Sequence, residues 1–198
     1  ENMCSFADRI GALLIYISTD YIFDGDCGPY TENEIPNPVN IYGQHKLKAE
    51  KLVIAMLSKH LILRITNVYG NELRNKNFLA RTIAQIKSNI ELSITAPIDQ
   101  YATPINALDV AKAIFLLISD RKTGIYHLAS TDFFNRVQFL QRINLHYNNI
   151  LQINPISTSQ LKQVAKRPLI GGLVSKKFLD EYPNFHFSNV DDYLKSLS

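Results

Sequence analysis

An apolar run that ends in two hydroxyl residues limits what this chain can fold into. Residues 12–17 read Ala-Leu-Leu-Ile-Tyr-Ile, and Ser18 and Thr19 follow at once. A short apolar run of this kind is typical of a buried parallel strand in an α/β protein. Open α/β sheets bind their ligands at the carboxyl ends of the strands. We therefore expect Thr19 to lie at the edge of a binding site.

A tyrosine and a lysine follow within one loop of that strand. Tyr42 and Lys46 are four residues apart in a predicted helix over 42–60, so both side chains project from one face. A nearby ammonium favours the phenolate, and such a tyrosine is a general acid for an oxyanion formed by hydride transfer to a carbonyl. Thr19 is expected to bond the same oxygen. By itself, a tyrosine and a lysine four residues apart are more often two solvated side chains of a helix. The preceding strand is what favours the catalytic interpretation.

Hydrophobic periodicity and turn residues predict alternating helices and strands. In the helix over 42–60, Glu50 falls on the polar face and His45 is expected in solvent. Asn135 and Gln138 form a capping pattern at another helix start. His127, between Tyr126 and Leu128, is predicted to be a packed core residue. The other predicted helices are 77–88, 107–119, 135–147 and 192–197, and the other strands are 61–66, 91–95, 124–129 and 151–156.

Several segments together carry a family resemblance that covers nearly the whole chain in register. They are residues 18–25, 29–32, 38–43, 46, 63–64, 68–70, 77–78, 99–100, 103–104, 109–111, 124–129 and 167–168. These segments resemble the extended short-chain dehydrogenase/reductases. Within that family the chain is most similar to the dTDP-4-dehydrorhamnose reductase branch, which also includes the regulatory beta subunit of methionine adenosyltransferase.

The resemblance implies an α/β fold, the carboxy-terminal part of a Rossmann-type doubly wound parallel sheet with a small α/β substrate-binding subdomain. Residues 1–70, beginning with a helix over 2–10, would form the remaining part of the Rossmann domain. Residues 71–198 would be mostly the subdomain, with 98–130 returning in part to the Rossmann domain. No Gly-x-Gly-x-x-Gly or Gly-x-x-Gly-x-x-Gly fingerprint occurs in the sequence. The resemblance therefore implies that the half holding the cofactor's adenosine and diphosphate precedes Glu1, and that these 198 residues are inactive alone.

The resemblance also assigns roles to individual residues. An anchoring role in the loop is an equal alternative for Asp20 and Tyr21, and a turn-stabilising role is favoured at least as much for Gln100. Phe78, beside Asn77, is expected to be mainly a core residue. Asn67 stands where the rhamnose-forming reductases have tryptophan, which weakens the case for their particular sugar. The implied catalytic residues are Thr19, Tyr42 and Lys46, the cofactor-binding residues Ser18, Tyr42, Lys46, Asn67 and Val68, and the substrate-binding residues Asp20, Tyr21, Asn77, Gln100 and Arg167.

The implied function is cytoplasmic, NAD(P)H-dependent reduction of a 4-keto-6-deoxysugar nucleotide, as in dTDP-rhamnose biosynthesis, with NADP or NAD as cofactor. One alternative is a non-catalytic regulatory subunit resembling the methionine adenosyltransferase beta subunit. A second is a nucleotide-sugar epimerase or dehydratase, although dehydratases usually follow the threonine with an acid and a glutamate where this chain has Asp20 and Tyr21. The implied partners are the nucleotide-sugar and either a second copy in a homodimer or a partner enzyme.

Composition excludes other classes. The net charge is only +3 and no dense basic cluster occurs, which argues against nucleic acid as a partner. The apolar runs are too short to span a bilayer, so no membrane partner is expected. Cys4 and Cys27 have neither metal-ligand spacing nor a disulfide framework, which fits a reducing compartment. We therefore expect no metal site.

Overall fold

A parallel sheet of three strands carries one part of the molecule. The computed structural model describes residues 1–72, 74–88 and 92–197. The strands are β1 (Leu14–Thr19), β2 (His60–Ile65) and β7 (Gly124–Leu128), in the order β1-β2-β7. Their parallel register pairs Thr19 with Ile65 and Ile65 with Leu128, so their carboxyl ends lie at one edge.

Helices cover both faces of this sheet, as a doubly wound fold requires. On one face, Ile62 of β2 packs with residues of α1 (Asn2–Ile10) and α2 (Ile41–Met56). On the other, Leu61 and Leu63 pack against α4 (Ala107–Ser119) and α6 (Lys176–Glu181). Successive residues of β2 alternate between two apolar layers, which explains why the strand reads as a continuous apolar run. The predicted α/β fold with parallel strands is confirmed.

A second apolar core lies around another parallel strand pair, β4 (Leu92–Pro97) with β9 (Leu151–Ile156). Its helices are α3 (Phe78–Lys87), α5 (Arg136–His146) and α7 (Val190–Lys195). Two short pairs, which sequence periodicity is too weak to reveal, complete the described strands. They are β3 (Val68–Tyr69) with β6 (Ile105–Asn106), and β5 (Tyr101–Ala102) with β8 (Phe134–Asn135).

Most predicted elements are present, with corrections at their ends. The helix predicted over 42–60 stops at Met56, because Leu57 is extended and buried and the chain enters β2 at His60. The predicted strand over 91–95 runs to Pro97, and Glu91 lies outside the described residues.

Helix α7 begins at Val190 and not at residue 192, because the N-cap Asn189 accepts a hydrogen bond from the Asp192 amide over 2.8 Å. The capping box of Asn135 and Gln138 is confirmed by reciprocal hydrogen bonds of 2.8 and 2.9 Å. Strand β1 is less buried than expected. Among the described strands it lies at an edge of its sheet, and Ile17 is 38% exposed.

A buried charge network joins α2 to the sheet, and it corrects the placement of Glu50 on a polar face. Glu50 is 1% exposed, and its carboxylate accepts hydrogen bonds from Arg64 Nη2 at 2.8 Å and Nε at 3.1 Å. Arg64 Nη1 lies 3.3 Å from His127 Nε2, and His127 Nδ1 lies 3.0 Å from the Tyr30 carbonyl oxygen. Because arginine only donates, Nε2 accepts and the proton of neutral His127 is on Nδ1. Burial, assisted by Arg64, lowers the pKa of His127 to about 3.

Candidate active site

Thr19 is the last residue of β1, and a single 3-10 turn over Asp20–Ile22 follows it. The Thr19 hydroxyl accepts a hydrogen bond from the Tyr21 amide and donates one to Asp20 Oδ1, both over 3.2 Å. Thr19 and Asp20 are buried. Burial raises the pKa of the Asp20 carboxyl to about 6, against the opposing effect of the Thr19 hydrogen bond. The strand end therefore presents a fixed hydroxyl beside a carboxyl group that titrates near neutral pH.

Helix α2 lies directly against this turn because its third residue is glycine. The Asn40 side chain caps the helix by accepting a hydrogen bond from the Gly43 amide over 2.8 Å. A Cβ atom on Gly43 would lie 2.1 Å from the carbonyl oxygen of Tyr21, so only glycine permits this approach. The rings of Tyr42 and Tyr21 meet edge to face, with centroids 5.9 Å apart. Tyr42 remains 55% exposed, which leaves its phenol open to a ligand.

Lys46 lies one turn along α2 and reaches back to β1. Its ammonium donates a hydrogen bond to the carbonyl oxygen of Ile17 over 2.6 Å and lies 4.4 Å from the centroid of the Tyr16 ring. Tyr42 contacts the turn after Thr19, and Lys46 contacts the strand just before it. The structure thus brings the three predicted catalytic residues to one end of β1, and His45 between them faces solvent as predicted.

Ser18 is buried beside these residues with an unsatisfied hydroxyl. Its Oγ has no hydrogen-bond partner within residues 1–72, 74–88 and 92–197. A buried hydroxyl without a partner costs stability, so this one calls for an explanation such as a bound molecule or an ordered water.

A cavity of about 50 Å³ opens beside the strand end. Its lining includes Asp20, Tyr21, Asn67, Val68 and Gln100, which are all predicted cofactor or substrate residues. Gln100 also donates hydrogen bonds from Nε2 to Thr158 Oγ1 at 3.0 Å and Gln163 Oε1 at 3.1 Å, which fits the alternative of a turn-stabilising residue.

Asn77 is used as a cap of α3. Its Oδ1 accepts a hydrogen bond from the Ala80 amide at 2.8 Å, and its Nδ2 donates one to the Gly70 carbonyl at 2.9 Å. The next residue, Phe78, packs against the second apolar core, as predicted, and also lines the cavity. Asn77 therefore fixes the start of the helix that presents Phe78.

A groove of about 620 Å³ adjoins the cavity, and Tyr21 lines both. Tyr42, Lys166 and Arg167 line the groove. Arg167 Nη1 donates a hydrogen bond to the Tyr21 phenol over 3.1 Å, and its guanidinium lies over the same ring. The groove volume falls within the range of small-molecule sites.

Arg136 also lines the cavity, and sequence reasoning missed it. It is the first residue of α5, where an arginine reads as an ordinary surface residue. Burial lowers the pKa of its guanidinium, Arg167 and Arg81 act in the same direction, and Tyr21 opposes them. No sequence signal distinguishes this arginine from an exposed one.

Within the residues that the structure describes, no helix is long and apolar enough to cross a bilayer. In the same ranges, no three histidine, cysteine, aspartate or glutamate side chains come together as a metal site.

Comparison with known proteins places this geometry in a family. The model of the RmlD substrate binding domain matches residues 1–195. Methionine adenosyltransferase 2 subunit beta from Xenopus laevis is 35% identical over 140 residues, which cover 67% of this chain and 41% of the frog protein. The dTDP-4-dehydrorhamnose reductase of Sinorhizobium fredii is 29% identical over 180 residues, which cover 85% of this chain and 60% of that enzyme. The chain thus spans roughly half the length of these relatives.

Among solved structures, the dTDP-4-dehydrorhamnose reductase of Bacillus anthracis in complex with NADP superimposes with a TM-score of 0.88 at 28% identity. The alignment covers 98% of this chain and 68% of that chain. The resemblance in sequence is therefore matched by the fold over almost every residue of this chain.

Proposed function

The chain belongs to the RmlD substrate binding domain family, and from that premise we propose that it supplies the proton donor and the substrate cleft of an NAD(P)-dependent reductase of 4-keto-6-deoxysugar nucleotides. The observation that carries this proposal is the placement of Thr19, Tyr42 and Lys46 around the carboxyl end of β1, beside an open cavity and groove. A cytoplasmic location and a nucleotide-sugar substrate are parts of the same proposal.

The residues near the strand end fit the nicotinamide part of a dinucleotide. The unsatisfied hydroxyl of Ser18 is a ready hydrogen-bonding group, and the Lys46 ammonium lies on the carbonyl oxygen of the preceding residue, Ile17. Ser18, Tyr42, Lys46, Asn67 and Val68 would hold NADP or NAD there. The reduced nicotinamide supplies a hydride to the carbonyl carbon of the substrate.

The chain's own part in the reaction is proton donation and positioning. The Tyr42 phenol donates its proton to the carbonyl oxygen as the carbon accepts the hydride, so the ketone becomes an alcohol. The Thr19 hydroxyl, which donates to Asp20 Oδ1 in the structure, would turn its hydrogen to the same oxygen and orient it. Lys46 favours the charge that remains on the phenol oxygen.

The substrate side uses the cavity and groove. Asp20 and Gln100 would contact the sugar from the cavity lining, and Tyr21 would separate the sugar from the groove. Arg167 would bind the nucleotide diphosphate, because its planar fork of donors matches phosphate oxygens. Asn77 would contribute indirectly to substrate binding. It caps the start of α3 and so fixes the cavity wall next to it.

A regulatory subunit is the second candidate, favoured by the 35% identity to a methionine adenosyltransferase beta subunit. A regulatory subunit would act by binding a partner enzyme. A reductase would instead pair with a second copy of itself as a homodimer. A scaffold has no physical need for Thr19, Tyr42 and Lys46 together, so we prefer the enzyme.

The test compares two samples, the protein as it occurs in its source and the 198-residue chain. Each is mixed with NADPH or NADH and a dTDP-4-dehydro-6-deoxysugar, and the absorbance of the reduced nicotinamide is followed. We expect turnover by the first sample and none by the second. If the first sample shows no turnover with either cofactor, while a methionine adenosyltransferase copurifies with it, the regulatory candidate replaces the reductase.

A further inference from the structure

Arg136 places a guanidinium in the wall of the cavity. The capping box of Asn135 and Gln138 fixes the first turn of α5, so the Arg136 side chain starts from a rigid position. Its guanidinium carbon lies 4.4 Å from the centroid of the Phe78 ring, which also lines the cavity. The charge is therefore held at a defined place.

The guanidinium has no acidic partner. In the described part of the chain, the arginine ion pairs are those of Arg64 with Glu50 and Arg142 with Asp191, and Arg136 forms neither an ion pair nor a hydrogen bond. A cation over an aromatic ring is stabilised, but the ring accepts none of the guanidinium's in-plane N–H donors. Arg136 is half-buried and its N–H donors have no protein acceptor among the described residues, so they are available to a bound anion.

The surroundings of Arg136 are positive. Arg81 lies 5.9 Å from the centroid of the same Phe78 ring, and Arg167 donates to the phenol of Tyr21, which lines the cavity with Arg136. Burial lowers the pKa of Arg136, and both arginines act in the same direction. Asp20 is a carboxyl group in the cavity lining, but its hydrogen bond comes from Thr19 and not from an arginine. Converging cations without a carboxylate partner favour a ligand group with more than one negative charge.

We propose that Arg136, from the cavity, and Arg167, from the adjoining groove, together bind a phosphoryl group beside Tyr21, which lines both: the diphosphate of the nucleotide-sugar. This inference rests on the proposed function and adds a second arginine to it. Two guanidinium forks on one diphosphate satisfy donors that are otherwise unpaired, and they oppose the cost of burying the Arg136 charge. The site is specific for the phosphoryl oxygens, whichever sugar is attached.

The experiment measures dTDP binding by isothermal titration calorimetry, with the protein as it occurs in its source and without cofactor. We expect Arg136→Gln to weaken binding about 10- to 100-fold, the range of a lost charge-assisted contact. Arg136→Lys should keep part of the affinity because it retains the charge but not the fork. Arg9→Gln, on exposed α1, changes the net charge equally and should bind like the unmodified protein.

Competition identifies the anion. Inorganic pyrophosphate should displace dTDP from the unmodified protein, and glucuronate should not. Displacement by glucuronate alone would mean that the arginines bind a carboxylate, and the proposal would be wrong. Urea unfolding of Arg136→Gln should show nearly unchanged stability, because the loss of the contact with the Phe78 ring and the relief of a partly desolvated charge oppose each other. A folded variant with full dTDP affinity would overturn the proposal.

These readouts separate this proposal from the proposed function. If Arg136→Gln loses dTDP affinity but the protein reduces no ketone, the phosphoryl site stands and the reductase assignment fails. If the protein is a reductase and the variant binds dTDP normally, the reductase stands and the role of Arg136 fails.

Discussion

The ammonium of Lys46 donates a hydrogen bond to the carbonyl oxygen of Ile17 over 2.6 Å. This contact joins α2 to β1 two residues before Thr19, while Tyr42 packs on the turn that follows Thr19. The side chains that the proposed reaction needs are thus held by the same two elements. A change in how α2 meets β1 would move all of them together.

Tyr42→Phe tests the proton donor. We expect kcat for ketone reduction to fall about 10²- to 10⁴-fold, the usual contribution of a general acid. Because Tyr42 is 55% exposed, the urea midpoint should hardly change. The absorbance of reduced nicotinamide gives the rate, and His45→Gln, an exposed neighbour on the same helix, is the control. Equal rates for Tyr42→Phe and His45→Gln would remove Tyr42 from the mechanism.

Ser18→Ala tests the unsatisfied hydroxyl. Removing a buried hydroxyl without a partner relieves a desolvation cost, so stability should stay the same or rise by up to about 1 kcal/mol, while affinity for NADP or NAD should fall. Ser175→Ala is the matched control, because the Ser175 hydroxyl accepts from the Ala129 amide at 2.8 Å and donates to the Ala129 carbonyl at 2.9 Å. That control should lose about 1 to 3 kcal/mol in urea unfolding. A comparable loss in Ser18→Ala would show that its hydroxyl has a partner in the folded protein.

The sequence predicted the strand end and the Tyr42 and Lys46 pair because these signals are local. The apolar run, the two hydroxyl residues and the helical spacing each involve only residues that are close together in the sequence. The capping box at Asn135 was predictable for the same reason.

Burial of charged residues was not predictable, because it depends on partners distant in sequence. From the sequence alone, Glu50 is expected on the surface. It is buried because the next strand places Arg64 beside it as an ion-pair partner. Arg136 likewise reads as a surface residue, and only the packing of α5 places it in the lining of the cavity. The helix predicted over 42–60 is too long at its carboxyl end. The pairing of β2 with β1, and not helix propensity, decides where the chain turns into β2.

Glu50→Gln tests the buried ion pair. The variant leaves Arg64 charged and buried without its carboxylate, so we expect a loss of about 3 to 5 kcal/mol in the free energy of unfolding. Lys176→Gln breaks the exposed pair with Asp180, which solvent screens, and should hardly change the urea midpoint. Urea unfolding measures both. If Glu50→Gln costs no more than Lys176→Gln, the network does not stabilise the fold.

His127 and Asp20 give stability opposite dependences on pH. The pKa of folded His127, about 3, lies below the unfolded value of about 6.5, so the unfolded state binds more protons between them. The stability contributed by neutral His127 is present above pH 6.5 and is lost as pH falls. The advantage of the unmodified protein over His127→Asn in urea midpoint should therefore shrink on acidification.

Asp20 serves as the contrast in the same titration. Its folded pKa of about 6 lies above the ordinary value of 3.8, so the folded state holds the proton more tightly. Its contribution is present below pH 3.8 and is lost as pH rises through 6. The advantage of the unmodified protein over Asp20→Asn should shrink as pH rises, and parallel curves for the two variants would contradict both assignments.

Gly43→Ala tests the contact that positions the site. By helix propensity alone, alanine should stabilise α2 by about 1 kcal/mol. Its Cβ would, however, lie 2.1 Å from the Tyr21 carbonyl oxygen and 2.9 Å from Pro38 Cβ, so the helix must move away from the turn. We expect a net loss of about 1 to 3 kcal/mol in urea unfolding.

The kcat of Gly43→Ala for ketone reduction should fall as well. Tyr42 belongs to α2 and would move with the displaced helix, while Thr19 belongs to β1 and would stay in place. Gln44→Ala, the next and exposed position of the same helix, should change stability by less than about 0.5 kcal/mol and leave kcat unchanged. A Gly43→Ala protein with raised stability and full kcat would mean that the approach of α2 to Tyr21 is not what aligns phenol and hydroxyl. Reduced kcat at nearly normal stability would instead show that this approach serves alignment more than folding.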